Sequence, residues 1–536
     1  MKILLIGINS KYIHPAAGLF QIVANSRYPL SFSEYTIKDE NENILAAMEK
    51  DDYDLIGFSV YIWNIEKVKE LIKAYSKKTS FLLGGPEASH RHDLLYFDER
   101  IRYIIKNEGE EAFNQLLEYL QGKRKINAVS NLYYKENGKI LYTYDEIPNL
   151  KKIRHDLSLN RDFKNRVLYL EGSRGCPFRC SYCLSSLDKK VRFFDYKKLK
   201  EEILFALKKE TPTVKFLDRT FNVDQKKMRE IISFIRDHDN GITTFQFEIV
   251  GDLLEEETIE LLQTVRRGQI RFEIGVQSTN PVVTRAVRRN QNFRKLKENI
   301  FKIRKNIIIH LDLIAGLPYE DRASFIRTFN ETFSIFPDEL QFGFLKELQG
   351  TEISRTKERH GYCFSEKPPY EVIHNDYLSG ADLEEFGVVE GALNKYYNSN
   401  AFPRTMGYLF QTKKLNPYDT FLKIGQYLGK NGLAGMQPDT VALKLYEALA
   451  EGGDEELLFI IKQDYLFKPI RPKIWWKRKI TREERKKVYR KYLEKYPELN
   501  LDLLYRYAHL EKSGNKYFLV TYRPLVEYHL DLNEQI

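Results

Sequence analysis

Cysteine is scarce in this chain, with four among 536 residues and none before position 176. Residues 1–175 therefore offer no thiolate to any metal centre. Long apolar runs are missing too. The chain is 43% hydrophobic and 30% charged, as expected of a soluble globular protein, and no stretch approaches the roughly 20 apolar residues of a membrane helix. The opening Met1-Lys2-Ile3-Leu4-Leu5-Ile6-Gly7 lacks a small-residue cleavage site and reads as a first strand, not a signal peptide. A cytoplasmic protein without a membrane span is expected. Two further absences narrow the ligands. No G-x-G-x-x-G follows the first strand, which argues against a dinucleotide, and no histidine lies between His155 and His238. Charge is plentiful, but 85 basic against 75 acidic residues leave only +10, a weak argument for nucleic acid.

Three of the four cysteines fall in Gly172-Ser173-Arg174-Gly175-Cys176-Pro177-Phe178-Arg179-Cys180-Ser181-Tyr182-Cys183, spaced C-x3-C-x2-C. So short a loop leaves little room for internal disulfides but wraps one metal centre readily. On a four-iron cubane, three thiolates leave one iron without a protein ligand, whereas a closed zinc site or a fully ligated cluster asks for a fourth thiolate or a histidine. The competing zinc knuckle would need such a histidine nearby.

The loop resembles the cluster loop of radical S-adenosylmethionine (SAM) enzymes, with Arg174-Gly175 leading in and an aromatic, Tyr182, before the third cysteine. The resemblance implies that Cys176, Cys180 and Cys183 hold a [4Fe-4S] cluster, that Tyr182 lies at the cofactor, and that the open iron holds the amino and carboxylate groups of SAM. It also implies a 5'-deoxyadenosyl radical and a flavodoxin- or ferredoxin-type electron donor.

The chain is too long for one core and should hold about three domains. Residues 1–125 alternate short apolar runs with amphipathic stretches, the pattern of a parallel sheet covered by helices. Strands are predicted at Lys2 to Gly7, Asp54 to Val60, Phe81 to Leu83 and Ile101 to Ile105, with a helix from Ile65 to Ser76. Ser59, Gly84, Gly85 and Gly109 fall at strand ends, where ligands of doubly wound sheets sit. Alone, this supports an unspecified α/β binding domain or a plain structural sheet. Ahead of a radical SAM core it resembles a cobalamin-binding domain, and the resemblance implies that Ser59, Gly84 and Gly85 accommodate the nucleotide tail of cobalamin, with Gly109 a further cofactor-binding candidate at the same strand ends. The D-x-H-x-x-G motif is absent: around His14, position 12 is Tyr and position 17 is Ala. His14 is read as a loop residue, and cobalamin without a protein histidine ligand is expected.

Residues 126–165 read as a linker containing a hairpin about Glu136-Asn137-Gly138-Lys139. Residues 166–355 carry strands at Leu168 to Leu170, Val214 to Asp218, Thr244 to Ile249, Ile270 to Gly275, Ile309 to Ile314 and Glu339 to Phe344. Six strands with helical segments between them fit a partial (β/α)6 TIM-type barrel with its chemistry at the strands' C-terminal ends. Gly275-Val276-Gln277-Ser278 and Asp312 to Pro318 resemble segments shared with oxygen-independent coproporphyrinogen enzymes. By that likeness Glu248, Gln277, Arg289 and Asp312 surround SAM, the acids suiting its hydroxyl and amino groups and Arg289 its carboxylate; salt-bridged barrel residues are the plain alternative.

Residues 356–536 form an α+β extension without a catalytic pattern, with a helix expected at Pro438 to Gly452 and a strand at Tyr517 to Tyr522. Cys363 reads as a loop or core cysteine or as a substrate-facing thiol. From Arg471 to Lys491, eleven Lys or Arg face two Glu, behind Trp475-Trp476. That segment is a solvated basic helix or a surface for RNA or an acidic partner, with Thr481 and Glu484 as a capping box. The overall resemblance implies an enzyme acting on a small-molecule substrate: methyl transfer to an unactivated carbon through methylcobalamin, with cyclisation or rearrangement, or a non-catalytic cobalamin or redox sensor, as alternatives. A methylthiotransferase would need a further cysteine triad near the N-terminus, which is lacking.

Overall fold

The structure, a computed structural model, describes residues 1–432, 437–450, 453–477 and 480–533. It divides into two compact units, Met1–Asp321 with Phe344–Ser379 and Arg322–Gly343 with Gly380–Ile536.

The first unit opens with a seven-stranded sheet. Its strands are β1 (Ile3–Asn9), β2 (Ser31–Thr36), β3 (Leu55–Ser59), β4 (Ser80–Gly84), β5 (Ile101–Ile105), β6 (Leu132–Glu136) and β7 (Lys139–Tyr142), in the order β2-β1-β3-β4-β5-β6-β7. The first five run parallel. Helices α1 (Ala17–Asn25), α2 (Asn41–Glu49), α3 (Ile65–Ala74) and α4 (Glu110–Leu120) connect or follow them. β1 is buried at every residue because its two faces serve different cores: Leu4, Ile6 and Ile8 pack with Ile56 and Phe58, while Ile3 and Leu5 pack with Leu55 and Leu82. The edge strand β2, Ser-Phe-Ser-Glu-Tyr-Thr, is nowhere fully buried, so it lacks the apolar run that marks its neighbours. The hairpin β6–β7 differs from the expectation of a ribbon in a linker. It pairs antiparallel onto β5 and covers an edge that would otherwise expose unpaired backbone groups.

The central sheet of this unit contains β8 (Leu168–Leu170), β11 (Thr213–Phe216), β12 (Thr244–Ile249), β13 (Ile270–Gln277) and β14 (Ile308–Ala315), all parallel. Between β8 and β11 a short antiparallel pair, β9 (Ser173–Arg174) and β10 (Arg192–Phe193), closes the base of the cysteine loop. The sixth expected strand also forms, as β15 (Glu339–Phe344). Alternation in β13 is strict: Ile270, Phe272, Ile274 and Val276 are buried, while Arg271, Glu273, Gly275 and Gln277 are half-buried. Register carries this polar face across the sheet, through Tyr169, Lys215, Gln246 and Arg271 in one row and Glu248, Glu273 and His310 in the next. One face is thus a hydrophobic seat for helices and the other a charged interior.

Cys363 lies in a two-residue strand opposite His374 and is half-buried. In the second unit, helices precede an antiparallel meander of Ala508–Ser513, Lys516–Tyr522 and Leu525–Asp531. The helix expected to reach Gly452 is described as Pro438–Leu449; Gly452 lies outside the described residues, as do Arg478 and Lys479 of the basic segment. Thr481 caps the helix Arg482–Lys495 by accepting the Glu484 N–H at 3.2 Å. The other half of the expected capping box is replaced: the Glu484 carboxylate takes Lys512 Nζ at 2.7 Å and the Tyr517 hydroxyl at 2.8 Å, and an ammonium is a stronger donor than a backbone amide. Trp476 donates its ring N–H to Glu511 at 2.7 Å, so this indole is committed to the unit's own packing. Among the described residues no helix is long and apolar enough to cross a membrane.

Candidate functional site

The cysteine loop leaves the C-terminal end of β8 and is fixed at its first residues by Asp218. The Gly172 N–H donates to Asp218 Oδ2 at 2.8 Å and the Ser173 hydroxyl to Oδ1 at 2.6 Å. Burial nevertheless pushes the Asp218 carboxyl up to about 7. Gly175, at φ +91°, then passes so close to Lys190 that a Cβ would lie 2.4 Å from its carbonyl oxygen; no other residue type fits this turn. The Cys176 N–H donates to the Asp188 carbonyl at 2.8 Å. Further along, Ser181 is held on both sides, donating to the Val287 carbonyl at 3.0 Å and accepting from the Ile353 N–H at 3.0 Å.

All four cysteines are free thiols; Cys176 and Cys180 are buried and Cys183 half-buried. Among the described residues no three His, Cys, Asp or Glu side chains converge as ligands of a single metal ion do. A cubane makes a different demand, one thiolate on each of three iron corners, and a three-cysteine loop pinned at both ends suits it.

Of the four residues expected around SAM, Glu248, Gln277 and Asp312 lie in the successive strands β12, β13 and β14, while Arg289 follows the helix Pro281–Ala286. Glu248 is opposite Glu273, and Asp312 is opposite Gly275. The register shifts between Gly275 and Gln277, and Gln277 adopts φ +66°. A Cβ on Gly275 would sit 2.2 Å from Gln277 Nε2 and 3.3 Å from the Arg289 guanidinium, so the missing side chain makes room for both. Arg289 donates to the Gly275 carbonyl and to Gln291 Oε1, with Tyr182 and Cys180 as its electrostatic neighbours. Gln277 Oε1 is buried without a partner, an acceptor awaiting a donor. Burial pushes the Glu248 carboxyl up, against the pull of Arg219 and Lys215. Asp312 meets His310 Nε2 at 3.0 Å.

At the N-terminal sheet, Ser59, Gly84, Gly85 and Gly109 line one cavity of about 270 Å³, whose far wall is Tyr169, Glu171, Arg174 and Leu217 of the central region. Their glycine requirements differ. A Cβ on Gly84 would meet nothing closer than the Ile105 oxygen at 3.9 Å, whereas one on Gly85, at φ +99°, would lie 2.6 Å from the Val60 oxygen. Gly85 is therefore required by the chain itself, whatever fills the cavity. Glu110 Oε2, on the cavity wall, is buried without a partner and suits an amide donor such as those on the rim of a corrin. His14 does not line this cavity; its Nδ1 is 2.8 Å from the Tyr169 hydroxyl, and burial, with Lys215 and Lys11, lowers its basicity.

Two features escaped sequence reasoning: Asp218, and a cluster of charges joining the two halves of the site. Arg174 bonds Glu108 at 2.9 Å and Glu110 and Glu171 at 2.8 Å each. Arg192 pairs with Glu108 and, at 2.7 Å, with Asp188. The turn Asn107 to Glu110 and the Arg174-Gly175 lead-in were the visible signals, but nothing local announces that they meet.

Protein-family models match three stretches: a B12 binding domain over residues 3–117, the Radical SAM superfamily over 170–332, and a protein of unknown function (DUF4080) over 358–521. An "uncharacterized methyltransferase PH0819" of Pyrococcus horikoshii is 23% identical over 332 residues, 58% of this chain and 71% of that protein. An anaerobic magnesium-protoporphyrin IX monomethyl ester cyclase of Synechocystis is 26% identical over 243 residues, 41% of this chain and 46% of that one, so the match spans less than half of the cyclase. The solved structure of the cobalamin-dependent S-adenosylmethionine radical enzyme OxsB, with aqua-cobalamin and S-adenosylmethionine bound, superposes with TM-score 0.58 at 14% identity, covering 87% of this chain and 78% of that one. At that identity the likeness is one of fold.

Proposed function

We propose that this chain, which belongs to the cobalamin-binding radical SAM enzymes, transfers a methyl group to an unactivated carbon of a small molecule. Bound together, a [4Fe-4S] cluster, SAM and cobalamin supply the radical and the methyl group. The observation that carries the reading is the shared cavity, one wall of which is the end of the N-terminal sheet and the other the lead-in to the cysteine loop. In this reading Cys176, Cys180 and Cys183 hold the cluster, and Tyr182 packs beside it. Arg289 pairs with the carboxylate of SAM, Gln277 Oε1 accepts one of its donors, and Glu248 and Asp312 orient its hydroxyl and amino groups. Ser59, Gly84, Gly85 and Gly109 make room for the cobalamin tail, while Glu110 accepts from a corrin amide. The methyltransferase relative supports this choice, and the cyclase relative favours a second reading, ring closure or rearrangement without methyl transfer.

The test is anaerobic turnover of reconstituted protein with methyl-deuterated SAM, a low-potential reductant and an extract from cells lacking the protein. Methyl transfer yields 5'-deoxyadenosine and S-adenosylhomocysteine together with a deuterium-labelled product. Formation of 5'-deoxyadenosine with no label in any product would reject methylation in favour of the second reading.

A further inference from the structure

The acids that bind Arg174 belong to the cavity, and the arginine belongs to the cysteine loop. Glu108 and Glu110 stand in the turn and first residues of α4, at the ends of the N-terminal strands, while Arg174 is two residues from Cys176. Its side chain is only 13% exposed, with that of Glu110 at 7% and of Glu171 at 15%. Glu108, Glu110, Glu171 and Arg174 all line the cavity. A second connection runs beside the first: Arg192 joins Glu108 to Asp188, whose backbone carbonyl accepts the Cys176 N–H. Four carboxylates thus surround two guanidinium groups, and around Arg174, with Glu110 and Glu171 largely buried, each contact is worth more than at a surface and each loss costs more.

We propose that Arg174 is a positioning residue that couples the two cofactor sites, so that filling the cavity changes the energetics of the cluster loop. A ligand in the cavity displaces water from Glu108, Glu110 and Glu171 and offers them amide donors, and their hold on Arg174 changes accordingly. Arg174 transmits the change through Gly175 to Cys176, whose N–H the Asp188 carbonyl holds at 2.8 Å. Coupling between binding sites is reciprocal, so cobalamin affinity must then depend on the charge of the cluster. The inference rests on the cofactor pair and not on methyl transfer; it stands or falls whether the product is methylated or cyclised.

The experiment is an EPR-monitored redox titration of the reconstituted full chain, dithionite supplying the single electron to the cluster, with and without saturating cob(II)alamin, whose own EPR signal verifies that cobalt stays at one oxidation state in every arm. It is paired with cobalamin binding isotherms for the oxidised and reduced cluster. In the wild type the two affinities should differ about fivefold or more, with a matching shift in midpoint potential of about 59 mV per tenfold for one electron. Arg174→Lys, a point charge without the planar fork, and Glu108→Gln should each bring the ratio below about twofold while iron and cobalamin remain bound. Equal affinities in the wild type would overturn the proposal, as would a full shift persisting in both variants. Loss of cobalamin from both variants would overturn it too, since the contacts would then serve retention and not coupling.

Discussion

The Ser173 hydroxyl donates to Asp218 at 2.6 Å within a site where Asp218 is 2% exposed. A carboxyl so placed holds its proton up to about pH 7, while in the unfolded chain it ionises near 3.9. Below about pH 4 both states are neutral at this group, and its contribution to stability is fully present. From there to about pH 7 the unfolded chain has released the proton and the folded chain still binds it, so stability falls as pH rises, by on the order of 4 kcal/mol in total. Asp218→Asn keeps an acceptor for Gly172 and lets the Ser173 hydroxyl turn to accept from the amide. Denaturant midpoints measured for both proteins across this range should show the wild type losing ground to the variant as pH increases.

Replacing Cys176, Cys180 and Cys183 together with Ala should abolish the cluster's charge-transfer absorption, the bound iron and 5'-deoxyadenosine formation. Cys363→Ala should leave iron content unchanged, because that residue sits in a short ladder opposite His374. Iron analysis decides: a triple variant retaining about four irons, the content of one cubane, would remove these residues from the cluster.

Gly84 and Gly85 separate a ligand effect from a folding effect. Gly84→Leu brings its Cβ no closer than 3.9 Å to the Ile105 oxygen and should block cobalamin retention with little change in thermal midpoint. Gly85→Ala places a Cβ against the Val60 backbone at a positive φ and should cost more than about 1 kcal/mol of stability whether or not cobalamin is present. Cobalamin retained in full by Gly84→Leu would move the tail away from this strand end.

His14→Ala removes the contact to the Tyr169 hydroxyl and should cost about 1 kcal/mol. The spectrum of bound cobalamin should be of the base-off kind in both wild type and variant, since the imidazole is held outside the cavity lining. A base-on spectrum lost on substitution would make His14 a cobalt ligand.

What was legible in the sequence was whatever the chain writes locally. Three cysteines within eight residues share one loop whatever the fold, and Ser59 and Gly84 announce themselves as polar or small residues ending apolar runs. Strand β2 stayed hidden because an edge strand needs no apolar alternation. Gly85 was visible, but the Val60 carbonyl that requires it was not. The bulge at Gly275 and Gln277 is a matter of register, which single strands do not encode. Arg174 and Glu108 are 66 residues apart, and their pairing exists only once two sheets have been brought together.

The hairpin that closes the edge of the first sheet turns through Asn137 and Gly138, both at positive φ and both exposed. None of the residues from Glu136 to Tyr142 lines the cavity. For protein engineering this is an attachment point: a peptide tag or a fluorophore inserted at Asn137-Gly138 would report on the cobalamin-binding half from outside its ligand site.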